Sequence, residues 1–287
     1  MIDSHIHLSY RLFDQVFPYV DHDGEAYRIV EGGTREALIE EMKHRGITEC
    51  IEPAIDVDSN QMLLDLSRKY KGFLYPAVGN HPTRCTKSKR GDFKRVREYA
   101  KDKSVIAIGE AGLDYHVPPE EQHRMKQKRW FRWQIKLAHK LGLPLILHIR
   151  LADEDAIRIL RRYRRKLHGG VCHCFSGGPD VARIYTEELG MTLGIGGTLL
   201  MKREYIEPLE QTVISTPLKY LLLETDAPYV KPLKPDTETI TGKKWQKTRN
   251  TSLILPAVAE RIAELKGISA EEVLRVTEEN TRRVFGI

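Results

Sequence analysis

Short apolar runs recur along the chain, separated by longer stretches in which apolar residues return every three or four positions. The runs read as strands and the stretches as helices. Strands are predicted at Ile2–His7, Glu49–Ile55, Phe73–Gly79, Val105–Glu110, Leu145–His148, Gly170–Cys174, Met191–Ile195 and Tyr220–Thr225. Helices are predicted at Arg35–Arg45, Ser59–Tyr70, Asp92–Ala100, Glu120–Leu141, Asp153–Leu167 and Asp180–Leu189, with a short one near Glu204. Two more, Ser252–Lys266 and Ala270–Glu279, end the chain. Thr34 is placed to cap the first helix and Gly46 to stop it. Alternation of this kind predicts an α/β fold, a single (β/α)8 TIM-type barrel with an extra C-terminal helix, over residues 1–287 as one domain.

Two connections break the pattern. Leu8–Gly33 is long and shows no clear periodicity, which marks a connection as functional or disordered. Its Tyr10, Phe13, Phe17, Tyr19 and Tyr27 either stack on a ligand's bases or anchor the segment to the barrel. The second, Tyr229–Arg249, is polar and carries Lys231, Lys234, Lys243, Lys244, Lys247 and Arg249 beside the last strand.

In such a barrel, chemistry gathers at the C-terminal ends of the strands. Those ends carry His5 and His7, His81, Glu110, His148, His173, and Glu224 with Asp226. By strand alternation Asp3, His5 and His7 share one face. Histidines and carboxylates converging on one mouth form a donor set for a divalent metal. There are too many for one tetrahedral ion and enough for two ions sharing a bridging group, a device for hydrolysing phosphate esters and some amides.

Composition narrows the partners. Charged residues make up 30% of the chain, the formal net charge is +6, and no apolar run approaches the ~20 residues of a membrane helix. The excess positive charge favours an anionic substrate such as nucleic acid. The basic run Arg158, Arg161, Arg162, Arg164, Arg165 and Lys166 reads as a solvated helix face. Trp130, Trp133 and Leu137 at helical spacing read as packing against the sheet. Cys50, Cys85, Cys172 and Cys174 form no secreted-type framework, and with a candidate ligand at residue 5 a cytoplasmic protein is expected.

Taken together, Asp3-Ser4-His5-Ile6-His7, Gly79-Asn80-His81-Pro82, Gly109-Glu110-Ala111-Gly112-Leu113-Asp114-Tyr115, His148-Ile149-Arg150, His173-Cys174-Phe175-Ser176-Gly177 and Glu224-Thr225-Asp226-Ala227-Pro228 resemble the TatD-type metal-dependent hydrolases, a deoxyribonuclease family among the amidohydrolase-like barrels. Arg249-Asn250 and Asn280 extend the likeness. The resemblance implies that His5, His7, Glu110 and Asp226 hold one ion, that Glu110 bridges, and that His148 and His173 complete a second. It implies that Asp226 takes the proton of the attacking water and that Arg150, His81 and Ser176 lie near the substrate phosphate. Tyr115 and Glu224 are further candidates, touching substrate or the backs of the ligands.

The chain departs from the family at Thr251-Ser252, where Glu-Pro is usual, at Thr83-Arg84-Cys85, and in the length of Leu8–Gly33. Strand four ends without the lysine of urease-type barrels, and the last strand closes in Glu224-Thr225-Asp226 rather than the Asp-x-His of histidinol-phosphatase-type barrels. The expected function is divalent-metal-dependent hydrolysis of phosphodiesters, DNA foremost and from an end. The metals would be two ions of Zn, Mg or Mn. Two alternatives stand beside it. One is acyl hydrolysis, for example on aminoacyl-tRNA, and the other is a non-catalytic metal-binding module.

Overall fold

A computed structural model of the chain describes residues 1–24, 26–116, 120–201, 203–235 and 240–287. Strand β1 (Ile2–Asp3) is followed by a hairpin of β2 (Phe17–His22) and β3 (Tyr27–Gly33), then by α1 (Arg35–His44), β4 (Glu49–Pro53), α2 (Ser59–Lys69), β5 (Leu74–Val78) and α3 (Asp92–Tyr99). The chain continues through β6 (Ala107–Asp114), α4 (Glu121–Leu141), β7 (Leu145–Arg150), α5 (Asp153–Tyr163), β8 (Gly170–Cys172) and α6 (Pro179–Arg183). It ends with β9 (Thr192–Ile195), α7 (Arg203–Ser215), β10 (Leu221–Leu223), α8 (Gly242–Lys247), α9 (Leu255–Lys266) and α10 (Ala270–Phe285).

Strand β1 and strands β4 to β10 lie in chain order in one parallel eight-stranded sheet. Its two ends meet. The Ser4 amide donates to the Leu223 carbonyl at 2.9 Å and the Asp226 amide to the His5 carbonyl at 2.9 Å. The expected TIM-type barrel is therefore the observed one. Its interior is a compact layer of Ile51, Ala77, Ala107, Ile146, Val171 and Leu222, one residue from each of six strands. A larger apolar layer lies between the strands and the helices.

The extra C-terminal helix stoppers the barrel at the end where its strands begin. Phe285 packs against the interior layer. The Asn280 amide donates to the Leu218 and Leu221 carbonyls at 2.9 and 3.0 Å. Arg282 pairs with Glu49, the first residue of β4, at 2.5 Å.

Four expectations change. Leu8–Gly33 is largely an antiparallel hairpin. A register shift between Phe17 and Tyr19 interrupts the alternation a sequence reading relies on. Phe13, Phe17 and Tyr19 are buried with their rings packed edge-on or tilted against one another, so they anchor the segment, and only Tyr10 remains near the mouth. The hairpin is held by Asp21, which receives Arg28 and Arg45, and by the Arg249 amide donating to the Pro18 carbonyl.

Second, Asp3 does not join His5 and His7 on one face, because β1 stops at Asp3. One Asp3 oxygen accepts the amides of His5 and Thr225, and the other accepts the hydroxyls of Thr225 and Ser252, both at 2.6 Å. The unusual Ser252 thus ties the start of the last helical segment to the first strand, while Thr251 caps the turn Ser252–Ile254. Third, β6 runs on through Asp114, four residues past the predicted strand end at Glu110; residues 117–119 lie outside the described residues. Fourth, the helix placed near Glu204 spans thirteen residues, and a short helix, α8, forms in the polar loop after β10.

Phe285→Ala should lower stability by about 3–5 kcal/mol, the usual cost of emptying a buried aromatic site. Urea unfolding measures this. The opposite end of the barrel should keep its geometry, so metal affinity of the folded variant should match the parent.

Candidate metal centre

Strand β6 positions the central carboxylate. Its register with β7 shifts between Ile108 and Ala111, a one-residue irregularity that turns Glu110 into the mouth. Gly112 follows at φ +154°, where any side chain would collide with the His148 carbonyl, so β6 and β7 pack backbone to backbone beside the site. The turn after β1 brings in His5 and His7, and the end of β8 brings in His173. Asp226 sits just beyond β10. Cys174 and Asp226 both take positive φ, at 46° and 54°, a strained conformation that re-aims the chain beside each ligand candidate.

Two sets of donor atoms face the two oxygens of Glu110. On one side are His5 Nε2 at 3.8 Å and His7 Nε2 at 3.4 Å from Oε1, with Asp226 Oδ1 at 3.6 and 3.3 Å from the same two nitrogens. On the other are His173 Nε2 at 3.1 Å and His148 Nδ1 at 3.4 Å from Oε2. The rings of His5 and His173 stack at 3.8 Å between the two sets.

The pairs within each set carry the test of fit. His5 Nε2 lies 3.2 Å from His7 Nε2, and His148 Nδ1 lies 3.0 Å from His173 Nε2. Imidazole lone pairs repel unless a proton or a cation lies between them. Nitrogens bound at ~2.0–2.1 Å to one tetrahedral ion stand about 3.3–3.4 Å apart, close to this spacing. The far Nδ1 atoms of His5, His7 and His173 are buried without hydrogen-bond partners. The residues present therefore suit a divalent cation on each side of Glu110.

The crowding shifts the protonation of these groups in opposite directions. Burial alone would raise the Glu110 carboxyl, but the imidazoles of His81, His173 and His5 outweigh it and hold the group well below the usual carboxylate range. Burial and the neighbouring His173 drive His5 well below an ordinary histidine. Such a neutral ring is the form that binds metal. Against the opposing effect of burial, Glu110 raises His173, Asp114 and Glu110 raise His148, and Asp226 and Glu110 raise His7, so in these three rings a cation takes the place of a proton held between the ring and a carboxylate.

His81 is different. Burial lowers it to about 3, and its Nδ1 accepts the Thr83 amide at 3.2 Å. The proton of the neutral ring is then on Nε2, which points towards Glu110 Oε2 at 3.7 Å. At that distance it makes no hydrogen bond to Glu110, and in this tautomer it is available to donate to another oxygen in the mouth, although His81 also lies close enough to Glu110 and His148 to share an ion with them.

These groups line a cavity of about 260 Å³ whose wall also includes Arg150, Arg84, Asp114 and Tyr229. Among the described residues neither Arg84 nor Arg150 is in an ion pair. Sequence reasoning missed three of these. Asp114 accepts from His148 Nε2 at 3.0 Å, which fixes that ring, and this bond with the His116 amide lowers Asp114 to about 2 against the opposing effect of burial. Its signal was present: Asp114 lies four residues after Glu110 on the extended strand. Arg84 follows His81 on a turn that only the fold brings to the mouth. Tyr229 stands edge-on to His7 at 6.4 Å and close to Tyr10 at 5.9 Å.

Glu224 is buried behind His173, 3.7 Å from its Nδ1, and accepts the Cys174 amide at 2.5 Å. Gly194 on β9 leaves the room its carboxylate occupies, which a side chain there would fill. Ser176 is exposed, and Tyr115 donates to Asp155 at 2.9 Å beneath Arg124; neither is in the cavity wall. Two lysines of the loop after β10 are spent on that loop and a third on the hairpin. Lys231 donates to the Trp245 carbonyl, Lys234 to the Ile240 carbonyl, and Lys244 pairs with Glu31. No helix among the described residues is long and apolar enough to cross a membrane.

Comparison with known proteins agrees with this geometry. The family model described as TatD related DNase matches residues 2–286. A Bacillus subtilis protein named uncharacterized metal-dependent hydrolase YabD is 33% identical over 252 residues, covering 88% of this chain and 92% of its own. An Erwinia tasmaniensis protein named 3'-5' ssDNA/RNA exonuclease TatD is 30% identical over 259 residues, covering 88% and 94%. The crystal structure of YjjV, a TatD homologue from Escherichia coli, matches with a TM-score of 0.82 at 26% identity over 100% of this chain and 98% of that one. Barrel, cluster and relatives together place this chain in the TatD family of metal-dependent hydrolases.

Proposed function

We propose that the protein is a two-metal phosphodiesterase that removes nucleotides from the end of a single-stranded nucleic acid. The observation that carries the reading is Glu110, whose two oxygens face two separate donor sets. His5, His7 and Asp226 would hold one ion with Glu110 Oε1, and His148 and His173 a second with Oε2. Bound ions of this kind supply Lewis acidity and lower the pKa of a water.

The chain's own residues do the rest. Asp226 is the more accessible carboxylate of the cluster, 16% exposed against 3% for Glu110, so it is the one able to reach a water and take its proton. Arg150 and Arg84 offer planar forks to the phosphate oxygens from the cavity wall. His81 Nε2 donates a third hydrogen bond to the phosphate. Asp114 holds the His148 ring, and Glu224 sits behind His173. A cavity of about 260 Å³ flanked by Tyr229 suits a terminal nucleotide better than the interior of a duplex. The relative named as a 3'-5' ssDNA/RNA exonuclease supports both the substrate and the end preference. Four unpaired cysteines, three of them buried, support a cytoplasmic location.

Two outcomes test the reading. Glu110→Ala should lower the occupancy of both metals together, because one carboxylate serves both; metal analysis after equilibrium dialysis would find full loading of either ion if the bridge is wrong. Asp226→Asn should lower kcat on a 3'-labelled oligonucleotide by about 10²–10⁴, the usual contribution of a general base, while oligonucleotide binding persists. A variant that cleaves at the parental rate removes Asp226 from this role. A parent that cleaves no phosphodiester with Mg, Mn or Zn but hydrolyses acyl esters moves the assignment to acyl transfer.

A further inference from the structure

The basic run on α5, conspicuous in the sequence, is partly neutralised. Arg161 pairs with Glu188, and Arg158 with Asp155 and Glu154. A different basic surface lies between α3 and α4. Two adjoining hollows of about 360 and 430 Å³ share Arg90, Phe93 and Arg129. The first adds Lys89 and Lys126 and the second adds Arg132 and Lys136. Among the described residues none of these cations is in an ion pair, and of them Lys126 is held on the Thr86 carbonyl, although basic groups elsewhere on the same helices are paired, such as Arg95 with Asp58 and Lys128 with Asp155.

The floor between the cations is aromatic. Phe93 stacks on Trp130 at 4.0 Å, Trp133 meets both edge-on, and the Arg129 guanidinium lies 5.4 Å over Phe93. Trp133 and Phe93 keep part of their surface open, so Trp133 is not simply the core residue its helical spacing suggested. Unpaired cations set among partly open aromatic rings are the two elements of a single-strand binding surface, one for the phosphates and one for the bases.

The groove also adjoins the mouth. The turn Pro82–Lys87 separates them. His81, Thr83 and Arg84 face the cavity on one side of it, and Cys85 and Ser88 line the groove on the other. Lys126 donates to the Thr86 carbonyl at 3.1 Å and ties α4 to that turn.

We infer that the α3–α4 groove is a second binding site, for the body of a single-stranded nucleic acid whose end occupies the metal centre. Its occupant is the substrate class proposed above, but the groove stands on residues outside the metal centre and is tested without catalysis. A duplex hides the base faces that the aromatic floor would meet, and an acidic peptide has none.

The test uses the whole protein in EDTA and a 5'-fluorescein oligothymidylate, followed by anisotropy and by tryptophan quenching. The triple variant Arg90→Ser, Arg129→Ser, Lys136→Ser should bind at least about tenfold more weakly at low salt, and the slope of log affinity against log salt should fall by about 2, roughly 0.7 for each phosphate no longer neutralised. With metal restored, KM for a long strand should rise while kcat and KM for bis-p-nitrophenyl phosphate stay at parental values, which also shows the variant to be folded. Parental affinity and salt slope in the triple variant would overturn the inference. So would a duplex, polyphosphate or polyglutamate binding the parent as tightly as the oligothymidylate. If the parent cleaves no phosphodiester but the triple variant still loses oligonucleotide binding in EDTA, the groove stands and the proposed activity falls.

Discussion

A carboxylate buried among imidazoles is the constraint on which the rest of this molecule depends. Glu110 is almost fully enclosed, as are His5 and His173. An isolated charge there would cost several kcal/mol, and imidazole nitrogens 3.0–3.2 Å apart would repel. Opposite charge supplied between the nitrogens and the two Glu110 oxygens resolves both costs together. The barrel makes the arrangement possible because each strand end contributes only one or two groups. The cost of bringing them together is met by the apolar layers beneath and around the strands.

The supporting structure serves that cluster from two sides. Asp3 collects four donors from the His5 amide, Thr225 and Ser252, so the first strand, the last strand and the segment leading to α9 are fixed to one another where the barrel closes. That junction lies directly beneath His5 and Asp226. On the other side Asp114 fixes His148 by a hydrogen bond, and the Glu224 carboxylate stands behind His173 without one. At the far end α10 seals the barrel without approaching the site.

Much of this was legible in the sequence because a parallel barrel writes its chemistry at a regular address. His5, His7, His81, Glu110, His148, His173, Glu224 and Asp226 each stood at the end of an apolar run, and the fold brings all of them to one mouth or directly behind it. What was not legible has physical reasons. The face shared by Asp3 failed because alternation assumes that a strand continues, and β1 bends after Asp3 when the His5 amide turns onto that carboxylate. The hairpin was hidden by the shift at Phe17 and by the half-exposed side chains of β3. The loop lysines looked available because a sequence does not show that Lys231 and Lys234 spend their protons on carbonyls. The α3–α4 groove was not legible because Lys126, Arg129, Arg132 and Lys136 of α4 meet Lys89, Arg90 and the ring of Phe93 only when α3 and the turn before it pack on that helix.

The central claim is that Glu110 lies between two ions rather than beside one. Anomalous diffraction from crystals soaked in Mn tests it directly. Two peaks are expected, one among His5, His7 and Asp226 and one between His148 and His173, with an oxygen of Glu110 bound to each. A single fully occupied peak at saturating Mn, with the second nitrogen pair left bare, would contradict the claim.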